Sequence, residues 1–132
     1  MATIERFEDI LSWKQARVLA NMIYDFTNQS LFVKDFGLRD QIQRSSGSVM
    51  HNIAEGFEAG YTPEFIKFLK YARRSAGEVQ SQLYLALDRK YISQEQFNQA
   101  YNKSIEVKKL INAFIGYLRS SKTPKAKDEP SN

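Results

Sequence analysis

Apolar residues return every three or four positions along most of the chain, the period of an α-helix with one buried face. Three prolines and six glycines leave long stretches free of helix breakers. Four helices are predicted. The first runs from about Glu8 to Asn28. One stripe holds Ile10, Trp13, Ala16, Arg17, Ala20 and Tyr24, and a second holds Leu11, Val18, Leu19, Met22 and Phe26. Two adjacent stripes predict a wide buried face touching two neighbours. Acidic Glu8 and Asp9 in the first turn suit the helix dipole. A connection follows from Asn28 to Phe36, with Leu31 and Phe32 pinned against the bundle.

The second helix is predicted from Gly37–Leu38 to Phe57, its packing face traced by Leu38, Ile42, Ser45, Val49, Asn52, Ile53 and Gly56. That face is unusually small and polar. Gly47 in mid-helix costs about 1 kcal/mol relative to alanine, and close approach of another helix is the expected compensation. Thr62 as N-cap and Pro63 in the first turn open a third helix that reaches about Lys90. Phe65, Leu69, Ala72, Ala76, Val79, Leu83 and Ala86 keep an unbroken alternation of four and three, the pattern of shallow coiled-coil-like packing. Its small run, Ser75-Ala76-Gly77, falls opposite the small run of the second helix if the two are antiparallel. Ser93 to Gln96 has the form of a capping box, and the fourth helix runs from it to about Ser120 on Phe97, Ala100, Tyr101, Ser104, Val107, Ile111, Phe114 and Leu118. Similar lengths and short links predict an all-α, antiparallel up-down-up-down four-helix bundle over residues 1–120, with a disordered polar tail over 121–132.

Composition narrows the chemistry. A chain of 132 residues with 42% hydrophobic and 26% charged residues is an ordinary single globular domain. No run approaches a membrane span and the N-terminus lacks a secretory signal. The absence of cysteine removes disulfides and thiolate sites and fits a cytoplasmic location. A single histidine, His51, leaves a zinc site of the usual type short of ligands. No cofactor is implied. The formal charge of +4 and pI of about 9.3 permit an anionic partner.

Two constellations stand out. Lys67, Lys70 and Arg74 share a stripe of the third helix, with Tyr71 and Arg73 alongside and Arg44 and Arg39 projecting from the second. Clustered cations beside aromatics form the footprint of a phosphate-contacting surface. The alternative is a solvated face whose charge is partly offset by Glu64, three residues before Lys67, and Glu78, four after Arg74. Asn52, Glu55, Arg73 and Glu78 are placed to meet in a polar network between the second and third helices, fixing register or assembly. Catalysis by Glu55, or by Ser45, Ser46, Ser48 or Ser75, lacks a second feature such as a nearby base or metal cluster. Trp13 is read as core or interface rather than as a platform for bases.

The ordered set Phe7-Glu8-Asp9-Ile10, Trp13-Lys14-Gln15-Ala16-Arg17, Phe36-Gly37-Leu38, Gln41-Ile42-Gln43-Arg44-Ser45, Asn52-Ile53-Ala54-Glu55-Gly56-Phe57, Glu64-Phe65-Ile66-Lys67-Phe68-Leu69, Ala72-Arg73, Ser75-Ala76 and Glu78-Val79-Gln80-Ser81-Gln82-Leu83 resembles the bacterial four-helix-bundle proteins of the ribosomal-RNA intervening-sequence family. The resemblance covers about residues 7 to 119. Family members are similar to the accessory variability protein of diversity-generating retroelements, a homopentameric barrel that binds nucleic acid and a reverse transcriptase. The resemblance therefore implies a non-enzymatic, ring-forming, RNA-associated protein, with itself, structured RNA and a reverse transcriptase or other protein as partners. Arg44 and Arg73 match basic positions of the family pattern, and Asn52, Glu55 and Gly56 match its central motif. Met50 replaces a common proline, and Arg74 replaces a small residue and adds positive charge.

Overall fold

The third helix, α3 (Thr62–Asp88), packs between α2 and α4 of the bundle. All seven residues of its four-three pattern, Phe65 to Ala86, are 0% exposed. A computed structural model describes residues 2–29, 31–120 and 128–129. The other three helices are α1 (Leu11–Thr27), α2 (Phe36–Ala59) and α4 (Gln94–Ser120). Each helix packs on two others in the cycle α1, α2, α3, α4, and the α2–α3 seam is the most extensive. Short 3-10 turns at Phe7–Asp9 and Phe32–Lys34 lead into α1 and α2.

The core divides into two clusters stacked along the helices. One combines Trp13 and Ala16 of α1, Val49 and Ile53 of α2, Leu69 and Ala72 of α3, and Ile111 and Phe114 of α4. The other combines Leu19 and Ile23, Leu38 and Ile42, Val79 and Leu83, and Phe97 and Ala100. The early part of α1 thus shares a cluster with the late part of α2, the early part of α3 and the late part of α4.

Local chemistry sets the helix ends. The Asp35 carboxylate accepts the Leu38 N–H at 3.1 Å as the N-cap of α2, a signal the sequence reading missed. Gly60, at φ +68, closes α2 in the left-handed conformation that glycine adopts without strain. Tyr61, not Thr62, holds the N-cap position of α3. The expected capping box forms in full before α4. Ser93 Oγ accepts the Gln96 N–H at 3.1 Å, and Gln96 Oε1 accepts the Ser93 N–H at 2.9 Å.

Two expectations are corrected, and a third falls mostly outside the described residues. The buried face of α1 is narrower than predicted: Ile23 lies on it, while Val18 and Tyr24 are 43% and 47% exposed. Gly47 is not a point of close helix approach, because an added Cβ would meet only His51 of its own helix, at 3.5 Å. Gly56 is that point: its Cβ would lie 2.7 Å from Phe65 Cδ1 and 2.8 Å from Phe68 Cβ. The disordered tail predicted over 121–132 lies outside the described residues except at Asp128–Glu129 (β2), whose backbone pairs antiparallel with Ala2–Thr3 (β1).

Candidate nucleic-acid interface

The five cations singled out from the sequence divide over three surfaces. Lys67 and Arg74 stand on the outer face of α3 with Tyr71 between them. The Lys67 ammonium lies 3.2 Å from Glu64 and 5.8 Å from the Phe68 ring centre, so its charge is partly offset. Such an exposed pair is worth at most about 1 kcal/mol. The Arg74 guanidinium rests 5.6 Å from the Tyr71 ring centre, and Tyr71 in turn meets Phe68 edge-on at 5.8 Å. The predicted Arg74–Glu78 ion pair does not form. Arg44 is exposed on α2, one turn before Ser48, apart from the α3 cations.

Arg73 turns toward α4, and Lys70, three residues before it, falls on the same flank of α3 by helix phase. Arg73 Nη1 donates to Asn112 Oδ1 at 2.8 Å across the α3–α4 seam. One turn and more further along this seam is Lys108, which the sequence reading did not single out. Its ammonium donates to Gln80 Oε1 at 3.2 Å, Gln80 Nε2 donates to Ser104 Oγ at 2.9 Å, and Ser104 donates to the Tyr101 carbonyl at 2.6 Å. Recognising Lys108 requires the α3–α4 register, which pairs 73 with 112 and 80 with 104 and 108. No helix pattern alone carries that information.

The mode of positioning differs among the cations. Arg6, Arg39, Lys67 and Lys103 each face a carboxylate within 4.0 Å. Arg73 and Lys108 are held instead by side-chain amides, and Lys70, Arg74 and Arg44 also lack an ion-pair partner among the described residues. An amide fixes the direction of a cation without cancelling its charge. A lysine with one of three donors engaged, or an arginine with one of five, keeps the rest for a ligand.

The predicted polar network is rearranged. Asn52 is part of one, its Nδ2 donating at 2.8 Å to both the carbonyl and the hydroxyl of Ser48. Ser75 Oγ donates to Ser48 Oγ at 3.0 Å, joining α3 to α2 at the two small runs. Gln82 adds a second bridge to Ser45 at 3.0 Å. Glu55 and Glu78 are exposed and stand outside this set, and Arg73 faces α4. The physical reason is helix phase. Ser48, Asn52 and Ser75 point into the α2–α3 seam, while Glu55 and Glu78 are turned toward solvent. Ser45 and Ser46 donate to the carbonyls of Gln41 and Gln43, engaging the hydroxyl protons that a nucleophile would have to give up. Trp13 is 8% exposed and meets Phe7 edge-on at 5.2 Å, as a core residue does.

Among the described residues no helix is long and apolar enough to cross a membrane, and no group of histidine and acidic side chains is arranged to hold a metal ion. The comparison with curated proteins gives no match. The fold and 31% of the sequence are shared with the crystal structure of a protein of unknown function from the S23 ribosomal protein family of Bacteroides thetaiotaomicron. The TM-score is 0.72, over 80% of this chain and 98% of that one. The family model described as 23S rRNA-intervening sequence protein matches residues 8–113. The chain therefore belongs to the 23S rRNA-intervening sequence protein family.

Proposed function

We propose that this chain is a non-enzymatic binding protein, an antiparallel up-down-up-down bundle that assembles into a ring and contacts structured RNA or an RNA–protein complex. The observation that carries the reading is the row of cations oriented by neutral groups on α3 and along the α3–α4 seam. Arg73 is held by Asn112, Lys108 by Gln80, and Arg74 rests on Tyr71. Fixed cations without carboxylate partners suit a polyanion, whose binding is driven by release of condensed counterions. The family's printed name, which refers to 23S rRNA, supports the same direction. A cytoplasmic location and a five-membered ring with a protein partner such as a reverse transcriptase belong to the proposal through the resemblance described above.

The deciding experiment is fluorescence anisotropy with a ribosomal-RNA hairpin between about 50 and 300 mM salt. Submicromolar binding with a log–log slope of about −3 or steeper is expected if several phosphates are neutralised. Charge reversal at Lys70 and Arg74 together should abolish it, and a double variant that binds like the parent would sink the assignment.

A second reading, a self-assembling scaffold without nucleic acid, is favoured by exposed Val18, Tyr24, Tyr84 and Leu85. These side chains leave apolar surface for another copy to cover. Light scattering at micromolar concentration separates the cases. An assembly that binds no RNA at low salt selects the scaffold, and a monodisperse monomer rules it out.

A further inference from the structure

We infer that Gly77, with Arg73 and Lys108, forms a seat for one backbone phosphate of the bound RNA. This deepens the nucleic-acid reading and rests on it. Gly77 stands in the middle of a 27-residue helix, where glycine is destabilising relative to alanine. At Gly56 the reason is packing, but at Gly77 packing supplies none. A Cβ built there meets a single atom within 4 Å, and that atom is the Lys108 ammonium, at 3.9 Å. The missing methyl group opens a notch in the surface of α3 and leaves a cation as its wall.

A second cation stands beside the notch. Arg73 precedes Gly77 by one helical turn on the same flank, with its guanidinium directed to Asn112 of α4 at 2.8 Å. Lys108 is directed by Gln80 at 3.2 Å, and Gln80 is anchored in turn by Ser104 at 2.9 Å. Both positive groups are thus aimed along one seam and retain free donors. A tetrahedral phosphate seated over Gly77 comes closer to the helix than any side chain would allow. It accepts from Lys108 directly, and from Arg73 through the donors that Asn112 leaves open. Gln80 and Asn112 are positioning residues that act through the two cations.

The full chain carrying Gly77→Ala tests this against a purely structural role. Nothing clashes with the new methyl, so the variant should melt about 3 °C higher than the parent, from improved helix propensity. It should nevertheless bind the RNA hairpin about five- to tenfold more weakly, with a salt slope shallower by about one, as should Lys108→Gln. A lowered melting temperature in Gly77→Ala would assign the glycine to packing and overturn the seat. So would parental affinity and slope in both variants while the parent binds RNA. A parent that binds no RNA at low salt overturns the nucleic-acid reading itself. Binding of polyglutamate that Gly77→Ala abolishes, with RNA binding untouched, would give the notch to an acidic protein instead.

Discussion

Gly56→Ala isolates the tightest contact in the bundle. The added Cβ would stand 2.7 Å from Phe65 Cδ1 and 2.8 Å from Phe68 Cβ, whereas non-bonded carbons rest about 3.5–4.0 Å apart. Neither neighbour can easily give way. Phe65 is 0% exposed and wedged edge-on between Phe57 and Phe114, with ring centres at 6.3 and 5.1 Å. Phe68 Cβ is one bond from the α3 backbone, so relief there requires α2 and α3 to move apart. Overpacking of this kind costs about 1–3 kcal/mol, and two rigid contacts at once place it in the upper half of that range. Alanine recovers about 1 kcal/mol of helix propensity. The net loss is about 1–2 kcal/mol, a fall of roughly 3–10 °C in melting temperature for a domain of this size. Gly116→Ala is the control, since nothing lies within 4 Å of its Cβ, and it should gain up to about 1 kcal/mol. Urea denaturation followed by circular dichroism measures both. If Gly56→Ala matches the parent, or rises together with Gly116→Ala, the close-approach account of the α2–α3 seam is refuted.

Lys90 closes α3 at φ +61, with its own N–H on the Leu87 carbonyl and the Tyr91 N–H on the Ala86 carbonyl, both at 2.9 Å. A non-glycine residue there carries roughly 1–2 kcal/mol of strain, so Lys90→Gly should raise the melting temperature by a few degrees; a fall would mean that the lysine side chain stabilises the turn. The Asp35 carboxyl is held below its ordinary value of about 3.8, chiefly by the Leu38 N–H, then by the Tyr91 hydroxyl at 2.9 Å and the positive charge of Arg89. A depressed native pKa stabilises the fold above the ordinary value, and the contribution is lost as pH falls below it toward the native one. Asp35→Asn, which can still cap the helix, should therefore flatten the decline of melting temperature below about pH 4; parallel curves for parent and variant would refute that linkage.

What was legible in the sequence follows from whether the cause is local. The α3 core stripe and the Ser93–Gln96 box are set within one or two turns, and both appear as expected. The α1 stripe was misphased because Val18 and the ring of Tyr24 offer apolar surface at helical spacing as Ile23 does, and only the placement of neighbours decides among them. The choice between Gly47 and Gly56 is likewise non-local. Both lie in the same helix, and only the α2–α3 register brings Phe65 and Phe68 over the second. The acidic members of the proposed network failed for the related reason of helix phase. Glu55 and Glu78 lie near the seam in sequence, but their side chains leave it. Lys108 was invisible because its partner Gln80 is on another helix. Apolar periodicity places the buried face, whereas a polar site depends on two helices meeting in one register.

The same helix therefore carries both kinds of information. One face of α3 is wholly buried, one flank is locked to α2 through Gly56, Ser48 and Ser45, and the other is linked to α4 by Asn112 and Gln80. A helix held on three sides has little freedom to rotate or slide. The cations along its α4 flank are consequently fixed before any ligand arrives, and less conformational freedom is lost on binding. Breaking the α2 seam at Gly56 disturbs stability first and the cations only through movement of α3. Filling the notch at Gly77 leaves the fold intact and alters only what can approach it. If affinity follows the second change while stability follows the first, the two flanks of α3 have separate duties. If affinity and stability fall together in both variants, the basic seam is simply another part of the packing.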